Sequence, residues 1–294
     1  MTKVVVFGGS GFLGSYVADE LTSRGYDVLI ADIRHSSYIQ DTQKFIICDI
    51  TDPSSLVTAM RGASVVYNFA GLADIDEASK LPREAIEKNV IGNLNILEAC
   101  KQANLSRFIY ASSAYAFSNK GGIYGISKLA SEKIVEEYSR CYGMPFTIIR
   151  YGSLYGERSD ENNNVYRMLR DALTKHTIHH NGDGEEVREY IHASDAAVLS
   201  VDVLLDEKYS HQHVILTGVE RMRQKDLLRM IQEVMNDEIT ITYSEKKRDT
   251  HYYVTPYSYQ PNLAKKIVLS SFIDLGQGLV SCMKSIHEEI GNDN

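Results

Sequence analysis

The chain has 294 residues, and its 44% of hydrophobic side chains are enough to fill a sizeable core. Its 31 lysines and arginines against 39 acids give a formal net charge of −8, and no basic run offers a track for nucleic acid or an anionic membrane. Four widely spaced cysteines without a CxxC pair indicate neither a zinc site nor a disulfide framework. With no signal peptide and no run of about 18 apolar residues, the sequence predicts a cytoplasmic protein.

Short β-branched runs alternate with helical patterns through the first half of the chain. The runs that predict buried parallel strands are KVVVFG, YDVLIAD, KFIICD, SVVYNFAG, RFIYASS and PFTIIRYG. Between them, apolar residues at helical spacing predict helices in FLGSYVADELTSRG, EAIEKNVIGNLNILEACKQAN and YGISKLASEKIVEEYSRCYG. Strands separated by helices indicate an α/β protein with a Rossmann-type doubly wound parallel sheet.

After Tyr151 this alternation gives way to less regular segments, among them GERSDENNNVYRMLRDAL, HHNGDGEEVREYIHASDAAVLS and HYYVTPYSYQPNLAKK. No low-complexity linker and no repeat interrupts the chain. We therefore expect a first domain over residues 1–150 and, over residues 151–294, mainly a smaller C-terminal α/β lobe. Parts of residues 177–218 are expected to return to the first domain.

The glycines of GGSGFLG close the first predicted strand and open the first helix. Glycine at positions 8, 11 and 14 permits a tight turn and a close approach of the backbone to a pyrophosphate, with the helix N-terminus facing the anion. Asp32 ends the second strand, where its carboxylate can accept hydrogen bonds from both ribose hydroxyls. Residues 1–150 are therefore predicted to bind NAD rather than NADP, although Arg34 would offset part of the repulsion between Asp32 and a 2′-phosphate. The alternative is a set of turn glycines and a surface aspartate.

Two serines, a tyrosine and a lysine lie close together in SSAYAFSNKGGIYGISK. Ser113 ends a predicted strand, at the crevice that opens beyond the carboxyl ends of parallel strands. Tyr124 and Lys128 are four residues apart and so share one face of a helix. The ammonium and a positive nicotinamide ring would lower the pKa of the phenol from about 10, so that Ser113 holds an alcohol while Tyr124 removes its proton. The alternative for so short a motif is a buried aromatic beside a snorkelling lysine.

In chain order, GGSGFLG, CDITD, NFAG, NVIGNLNILEA, YASSA, YGISK, RYGSLYG and REYIHASD resemble the motifs of extended short-chain dehydrogenases. The branch is similar to the NAD-dependent nucleotide-sugar epimerases and dehydratases, and the resemblance covers almost the whole chain. It implies NAD as cofactor and a nucleotide-diphosphate sugar as substrate. The residues that the resemblance implies around the cofactor are Gly8, Gly11, Phe12, Leu13, Gly14, Asp32, Ile33, Arg34, Asp49, Ile50, Asn68, Phe69, Ala70, Gly71, Asn89, Ala111, Tyr124, Lys128 and Tyr151.

The same resemblance assigns roles to the residues around the reacting sugar. Ser113 and Tyr124 act on the sugar hydroxyl, and Lys128 orients the nicotinamide ribose and tunes Tyr124. Ser112 and Ser153 join Ser113 as expected substrate contacts, and Ser153 stands where an asparagine often contacts the substrate.

The diphosphate of such a substrate needs a cation. Arg188 in VREYIHASD is the first candidate, because a planar guanidinium can bind two phosphate oxygens. Arg158 and Arg248 are further candidates, with pairing to a neighbouring acid as the alternative. The tyrosines of HYYVTPYSYQP could stack a nucleobase or simply pack against one another. The histidines of KHTIHHNGDG predict a strand and a turn rather than a metal site, because no second set of ligands follows.

Departures from the family pattern bear on the reaction. Dehydratases of the family carry an Asp–Glu pair beside the catalytic hydroxyl, whereas SSAYAFS supplies neither acid, so dehydration is not expected. The loop that normally follows has shrunk to NKGG, which predicts a more open sugar pocket. The sequence therefore predicts oxidation of a sugar 4-hydroxyl by either a 4-epimerase or a net 4-dehydrogenase. The unusual pocket favours a sugar of bacterial surface polysaccharides, such as a GDP-heptose or a deoxyhexose.

Two further expectations concern partners and a rival function. The helices around residues 84–103 and 123–142 resemble the pair that builds a four-helix homodimer interface in this family. The rival is an NAD(P)-sensing regulatory protein on the same fold. Such proteins commonly lose the tyrosine or the lysine of the site, and both residues are present in this chain.

Overall fold

The computed structural model describes residues 1–103, 105–118, 120–244, 251–254, 265–269 and 271–292. In these residues the strands are β1 (Lys3–Phe7), β2 (Asp27–Asp32), β3 (Lys44–Ile47), β4 (Val65–Asn68), β5 (Arg107–Ser113), β6 (Phe146–Tyr151), β7 (Ser153–Tyr155), β8 (Thr177–Asn181), β9 (Val187–Arg188), β10 (Tyr190–His192), β11 (Gln212–Leu216), β12 (Met222–Arg223), β13 (Thr240–Ser244) and β14 (Lys265–Ile267).

The helices alternate with these strands. They are α1 (Phe12–Ser23), α2 (Pro53–Met60), α3 (Ile75–Lys80), α4 (Pro82–Ile86), α5 (Asn93–Cys100), α6 (Gly122–Tyr142), α7 (Asn164–Lys175), α8 (Ala193–Leu205), α9 (Gln224–Val234) and α10 (Leu275–Asn292). A π-helical segment, Glu87–Gly92, joins α4 to α5. No helix in the described ranges has the length and apolar character needed to cross a bilayer.

The central sheet has eight parallel strands within the described ranges, in the order β14-β11-β6-β5-β4-β1-β2-β3. The order reverses between β1 and β4, which is the switch point at which such sheets open a crevice. The predicted doubly wound sheet is therefore confirmed. Strand β11 lies within residues 177–218, whereas the edge strand β14 comes from a segment that the sequence pattern did not predict as a strand.

The strands bury both of their faces, and β1 shows how. Val4 and Val6 pack on one side, in an apolar cluster with α1 and α8, whereas Val5 and Phe7 pack on the other side with α2, α5 and α6. Successive side chains of a strand point to opposite faces, so a run such as VVVF can fill both layers at once. This explains why the strands read as continuous apolar runs rather than as alternating patterns.

A smaller lobe stands at the carboxyl ends of the strands. Helices α7, α9 and α10 share a separate apolar cluster that includes Leu169, Leu228 and Leu279. Outside the central sheet, the described residues form short strand pairs of β7 with β10, β9 with β12 and β8 with β13. The lobe therefore faces the end of the sheet at which β5 presents Ser113.

Candidate active site

The glycine loop brings backbone atoms very close together. Gly8 has a φ of +74°, and a Cβ there would lie 2.6 Å from the nitrogen of Ala70. A Cβ on Gly14 would lie 2.2 Å from the carbonyl oxygen of Gly8. Helix α1 begins after Gly11, which has no side chain to cap the N–H groups of the first turn. These groups are free of a side-chain cap at the switch point, so the residues present fit the pyrophosphate of a dinucleotide.

Asp32 is held beside this loop at the end of β2. Its Oδ2 accepts a hydrogen bond from the backbone N–H of Ser10 at 3.0 Å, and its Oδ1 accepts one from the N–H of Arg34 at 3.4 Å. Ile33 and Arg34 are exposed. The carboxylate is thus fixed one strand away from the glycine loop, where it fits the ribose diol of a dinucleotide.

Two predicted residues follow β3. Ile50 is buried, and a Cβ on Gly92 would lie 2.6 Å from its Cδ1. Asp49 is exposed and accepts hydrogen bonds from the backbone N–H and the hydroxyl of Thr51. Both residues therefore lie after the end of β3, the strand that pairs with β2 and its Asp32. Their contact with the adenosine stays a prediction.

The segment after β4 borders the crevice from the other side of the switch point. Asn68 is buried, with its Nδ2 donating to Asn93 and its Oδ1 accepting from the N–H of Ala70. Phe69 stacks against Tyr67 and packs against Tyr151 at a centroid distance of 6.2 Å. The hydrogen bonds of Asn68 and the ring packing of Phe69 therefore fix the conformation of this segment.

Asn89 lies behind the crevice rather than in it. Its Oδ1 accepts from the N–H of Leu72, and its Nδ2 donates to the carbonyl of Leu72 and to the hydroxyl of Ser127. Both amide protons are therefore used within the protein. A Cβ on Gly71, whose φ is +145°, would lie 2.4 Å from Asn89 Oδ1. Asn89 thus links this loop to α6 by hydrogen bonds. The π-helical turn that carries Asn89 was not predicted from the sequence.

Ser113, Tyr124 and Lys128 come together at the junction of β5 and α6, and all three are buried. The ammonium of Lys128 donates to the carbonyl of Ala111 at 2.9 Å and lies 5.9 Å from the ring centroid of Tyr124. The hydroxyl of Ser113 accepts from the N–H of Tyr115 at 3.3 Å. A proton acceptor, a hydroxyl and a cation therefore share one small volume.

Burial dominates the electrostatics of this group. It raises the pKa of Tyr124 to about 12, against the opposing effect of the hydrogen bond with Ser113. Burial also lowers the pKa of Lys128 to about 8, against the opposing charge of Glu132. For the protein's own groups, burial therefore leaves the pKa of Tyr124 above its ordinary value. The predicted lowering of this pKa included a positive nicotinamide ring beside the ammonium, and it stays a prediction.

Ser112 does not face the crevice, contrary to the sequence prediction. Its hydroxyl donates to Oε1 of the buried Glu132 at 2.5 Å, on the opposite side of β5 from Ser113. The reason is the two-residue period of a strand, which sends neighbouring side chains to opposite faces. Only one serine of the pair can therefore reach a ligand in the crevice.

A cavity of about 450 Å³ opens between the sheet edge and the smaller lobe. The predicted residues that line it are Ser113, Tyr151, Ser153 and Arg188. The guanidinium of Arg188 lies 4.3 Å from the ring centroid of Tyr252, and its Nη1 donates to the carbonyl of Val187 at 3.0 Å. The cavity is large enough for a small ligand, and its wall carries the cation of Arg188 as well as the hydroxyl of Ser113.

The other two predicted arginines do not contribute to this wall. Arg158 pairs with Asp19 at 2.7 Å and lies between the rings of Tyr16 and Tyr38, outside the cavity lining. This contradicts its predicted role in substrate binding, and the pairing alternative describes it instead. Arg248 lies outside the described residues, as do residues 255–261 of the tyrosine-rich segment.

Several lining residues were not predicted from the sequence. They include Tyr115, Asn163, Arg167, Gln224 and His251. No motif marks them, because they come from segments that are distant in sequence and meet only in the folded chain. His179 and His180 also line the cavity, where His179 bonds to Thr242 and His180 pairs with Glu186 at 2.9 Å. Among the described residues, no group of three or more His, Cys, Asp or Glu could hold a metal.

A glycine loop at the switch point, a carboxylate at the end of β2 and a Ser–Tyr–Lys group define an extended short-chain dehydrogenase/reductase that binds NAD. Residues 4–218 match the model of the NAD dependent epimerase/dehydratase family. The chain belongs to this family of NAD-dependent nucleotide-sugar enzymes, as its motifs predicted.

Named relatives share most of the chain. A putative UDP-glucose 4-epimerase of Methanocaldococcus jannaschii is 28% identical over 217 residues, which are 66% of this chain and 70% of that protein. The structure of a Thermotoga maritima UDP-glucose 4-epimerase with UDP-glucose is 22% identical with a TM-score of 0.85, covering 98% and 100% of the two chains. A Bacillus cereus UDP-glucuronic acid 4-epimerase with UDP-glucuronic acid and NAD is 21% identical, with the same TM-score and coverage. These two structures share the fold of this chain.

Proposed function

We propose that the protein oxidises the 4-hydroxyl of a nucleotide-diphosphate sugar, and that it releases either the 4-epimer or the 4-keto sugar. The observation that carries this proposal is the position of Ser113, which belongs to the Ser113–Tyr124–Lys128 group and also lines the cavity of about 450 Å³. A sugar hydroxyl that enters the cavity would meet Ser113 first, with Tyr124 directly behind it. Dehydration is not proposed, because Ala114 and Tyr115 supply no carboxylate beside Ser113.

Tyr124 removes the proton in this reaction. Its Oη takes the proton of the sugar hydroxyl, while the hydroxyl of Ser113 holds the sugar oxygen at the end of β5. The N–H of Tyr115 fixes Ser113 by donating to its Oγ. The hydroxyl proton of Ser113, which bonds with Tyr124 in the free protein, would turn to the sugar oxygen when substrate binds. The proton thus leaves the 4-hydroxyl oxygen while the C–H bond of the carbon that bears it breaks.

Activation of Tyr124 requires more positive charge than Lys128 supplies. The pKa of about 12 is too high for a general base at neutral pH, whereas the pKa of about 8 leaves Lys128 charged there. NAD, when bound, supplies the oxidant for the C4–H bond and a positive ring in the crevice. Lys128 keeps its ammonium directed at the carbonyl of Ala111 and at the crevice, where the nicotinamide ribose would lie.

The other end of the substrate meets the smaller lobe. Arg188 binds the diphosphate in this proposal, and its stacking on Tyr252 holds the guanidinium in place. The named relatives carry UDP in their descriptions, so UDP is the first nucleotide that we propose. GDP-heptose, deoxyhexoses and a role in surface polysaccharide synthesis remain predictions from the sequence.

The assembly and the division of the chain are also proposals. We assign NAD binding to residues 1–150, with α8 and β11 completing that domain, and substrate binding mainly to residues 151–294. We propose a homodimer through the helices around residues 84–103 and through α6. Ile91, on the π-helical segment Glu87–Gly92, and Ile126, on α6, expose 45% and 60% of their surface. The reducing cytoplasm is the compartment that the sequence predicted.

A panel of nucleotide sugars tests the proposal. The purified protein is incubated with UDP-, GDP-, CDP- and dTDP-linked sugars while NADH absorbance and thermal stability are followed. We expect one nucleotide to raise the melting temperature and its sugar to reduce bound NAD, because a ligand that binds only the folded state stabilises it. The regulatory alternative predicts stabilisation by NAD or NADP without reduction by any sugar.

A further inference from the structure

A second tyrosine faces the cavity beside the catalytic group. Tyr115 lies two residues after Ser113 and lines the same cavity. Its ring packs at 4.5 Å from that of Tyr252, and the ring of Tyr124 stands edge-on to it at 6.4 Å. A Cβ on Gly121, whose φ is +88°, would lie 2.7 Å from Cδ1 of Tyr115. The ring therefore has one well-defined position in the cavity wall.

The hydroxyl of Tyr115 is also fixed in direction. It lies 3.0 Å from Nδ1 of His251, whose Nε2 lies 4.0 Å from Oδ1 of Asp76. A carboxylate on the Nε2 side favours the histidine tautomer that carries its proton on Nε2, which leaves Nδ1 as an acceptor. Tyr115 then donates its proton to His251. The hydroxyl oxygen of Tyr115 can then still accept a hydrogen bond from another donor.

We propose that Tyr115 is a specificity-determining residue whose hydroxyl accepts a hydrogen bond from a hydroxyl or amide N–H of the substrate sugar. This inference rests on the proposed function, because it places the sugar beside Ser113 and Tyr124. A sugar carries hydroxyl or amide donors on the carbons next to the reacting C4. An acceptor fixed two residues from Ser113 would accept a hydrogen bond from one of these donors. His251 is a positioning residue in this arrangement, because it acts only through the proton of Tyr115.

Three variants separate this role from packing. Tyr115→Phe keeps the ring but removes the acceptor. His251→Leu removes the partner that orients it, whereas His251→Asn places an amide oxygen near the position of Nδ1 and should restore the orientation. Tyr209→Phe, on a turn outside the cavity, is the matched control.

Calorimetry with UDP-glucose and with UDP alone measures the effect. We expect Tyr115→Phe and His251→Leu to bind UDP-glucose about 3- to 10-fold more weakly, since one neutral hydrogen bond is lost, and to bind UDP as the parent does. In turnover, KM should rise by the same factor while kcat changes little. His251→Asn and Tyr209→Phe should match the parent.

Two results would overturn the inference. Equal loss of UDP and UDP-glucose binding in Tyr115→Phe would show that the hydroxyl does not recognise the sugar. If the parent binds NAD but not UDP-glucose, the proposed function fails for UDP-glucose, and the assignment of Tyr115 fails with it. Binding of UDP-glucose by the parent separates the two failures, because the parent binds it in the first case and does not bind it in the second.

Discussion

Glu132 and Arg150 form a bidentate ion pair that is buried beneath the catalytic group. Nε of Arg150 lies 2.9 Å from Oε1 of Glu132, and Nη2 lies 2.6 Å from Oε2. Ser112 donates to the same carboxylate, so α6 is bonded at one point to both β5 and β6. Because Lys128 lies one turn before Glu132, the pair fixes the height of the helix relative to Ser113.

Removing the negative partner should destabilise the protein strongly. Glu132→Gln keeps the size of the side chain but leaves the guanidinium of Arg150 buried without its counter-charge. We expect a loss of about 3–5 kcal/mol in the free energy of unfolding, measured by urea denaturation. Glu137→Gln, which breaks an exposed pair with Arg140, should cost less than about 1 kcal/mol. Equal effects of the two variants would contradict this account.

Tyr124→Phe tests the proton acceptor. The phenyl ring keeps the buried packing, so folding and NAD affinity should be preserved, while the first-order rate of NAD reduction falls about 10²–10⁴-fold. Single-turnover absorbance of NADH with a sugar substrate found in the panel measures this rate. A variant that reduces NAD at the parent rate would remove Tyr124 from the mechanism.

Lys128→Met should change how stability depends on pH. The folded-state pKa of about 8 lies below the ordinary 10.5, so between these values the unfolded chain binds more protons than the folded one. Stability of the parent therefore rises with pH through this window, and the variant lacks that rise. Urea denaturation without added NAD, at pH 7 and pH 10, should show the parent gaining on the order of 2 kcal/mol relative to Lys128→Met. Parallel profiles would show that Lys128 titrates normally.

Arg188→Ala tests the phosphate contact. Loss of a charge-assisted contact should weaken nucleotide-sugar binding by on the order of 1.5–3 kcal/mol and leave NAD binding nearly unchanged. Arg158→Ala is the matched control, because Arg158 pairs with Asp19 outside the cavity. Calorimetry compares the two variants. A larger effect of Arg158→Ala would assign the phosphate contact to Arg158 instead of Arg188.

Ile126→Glu tests the proposed dimer. The side chain of Ile126 is 60% exposed on α6, so a carboxylate there should be tolerated by the monomer but not by an apolar helix interface. Sedimentation velocity should show a dimer for the parent and a shift to monomer for the variant. Val57→Glu, at a 59% exposed position on α2, should leave the assembly unchanged. A parent that sediments as a monomer would contradict the proposal.

The sequence predicted the sheet because its strands are local and buried on both faces. The run VVVF in β1 fills two apolar layers, and this composition is visible without any tertiary information. The glycine loop with Asp32 and the pair of Tyr124 and Lys128 were likewise visible, because each depends on short spacing.

Other features depend on the face of a strand to which a side chain points, or on contacts between residues that are far apart in the sequence. Ser112 and Ser113 look equivalent in the sequence, and only the strand register sends one of them to Glu132. Tyr115 meets His251 across 136 positions, so no window of the sequence contains both residues. The raised pKa of Tyr124 depends on its burial, which its spacing from Lys128 in the sequence does not reveal.

The edge strand β14 has a consequence for the order of events at the ribosome. Residues Lys265–Ile267 pair with β11, so the sheet domain receives its last strand only after α7 and α9 of the lobe have been synthesised. Until then β11 is a nascent edge with unsatisfied backbone groups, open to pairing with another chain. A recombinant fragment that stops at residue 218 would keep that open edge permanently. We expect it to aggregate on expression even though it contains every residue that we predict around NAD.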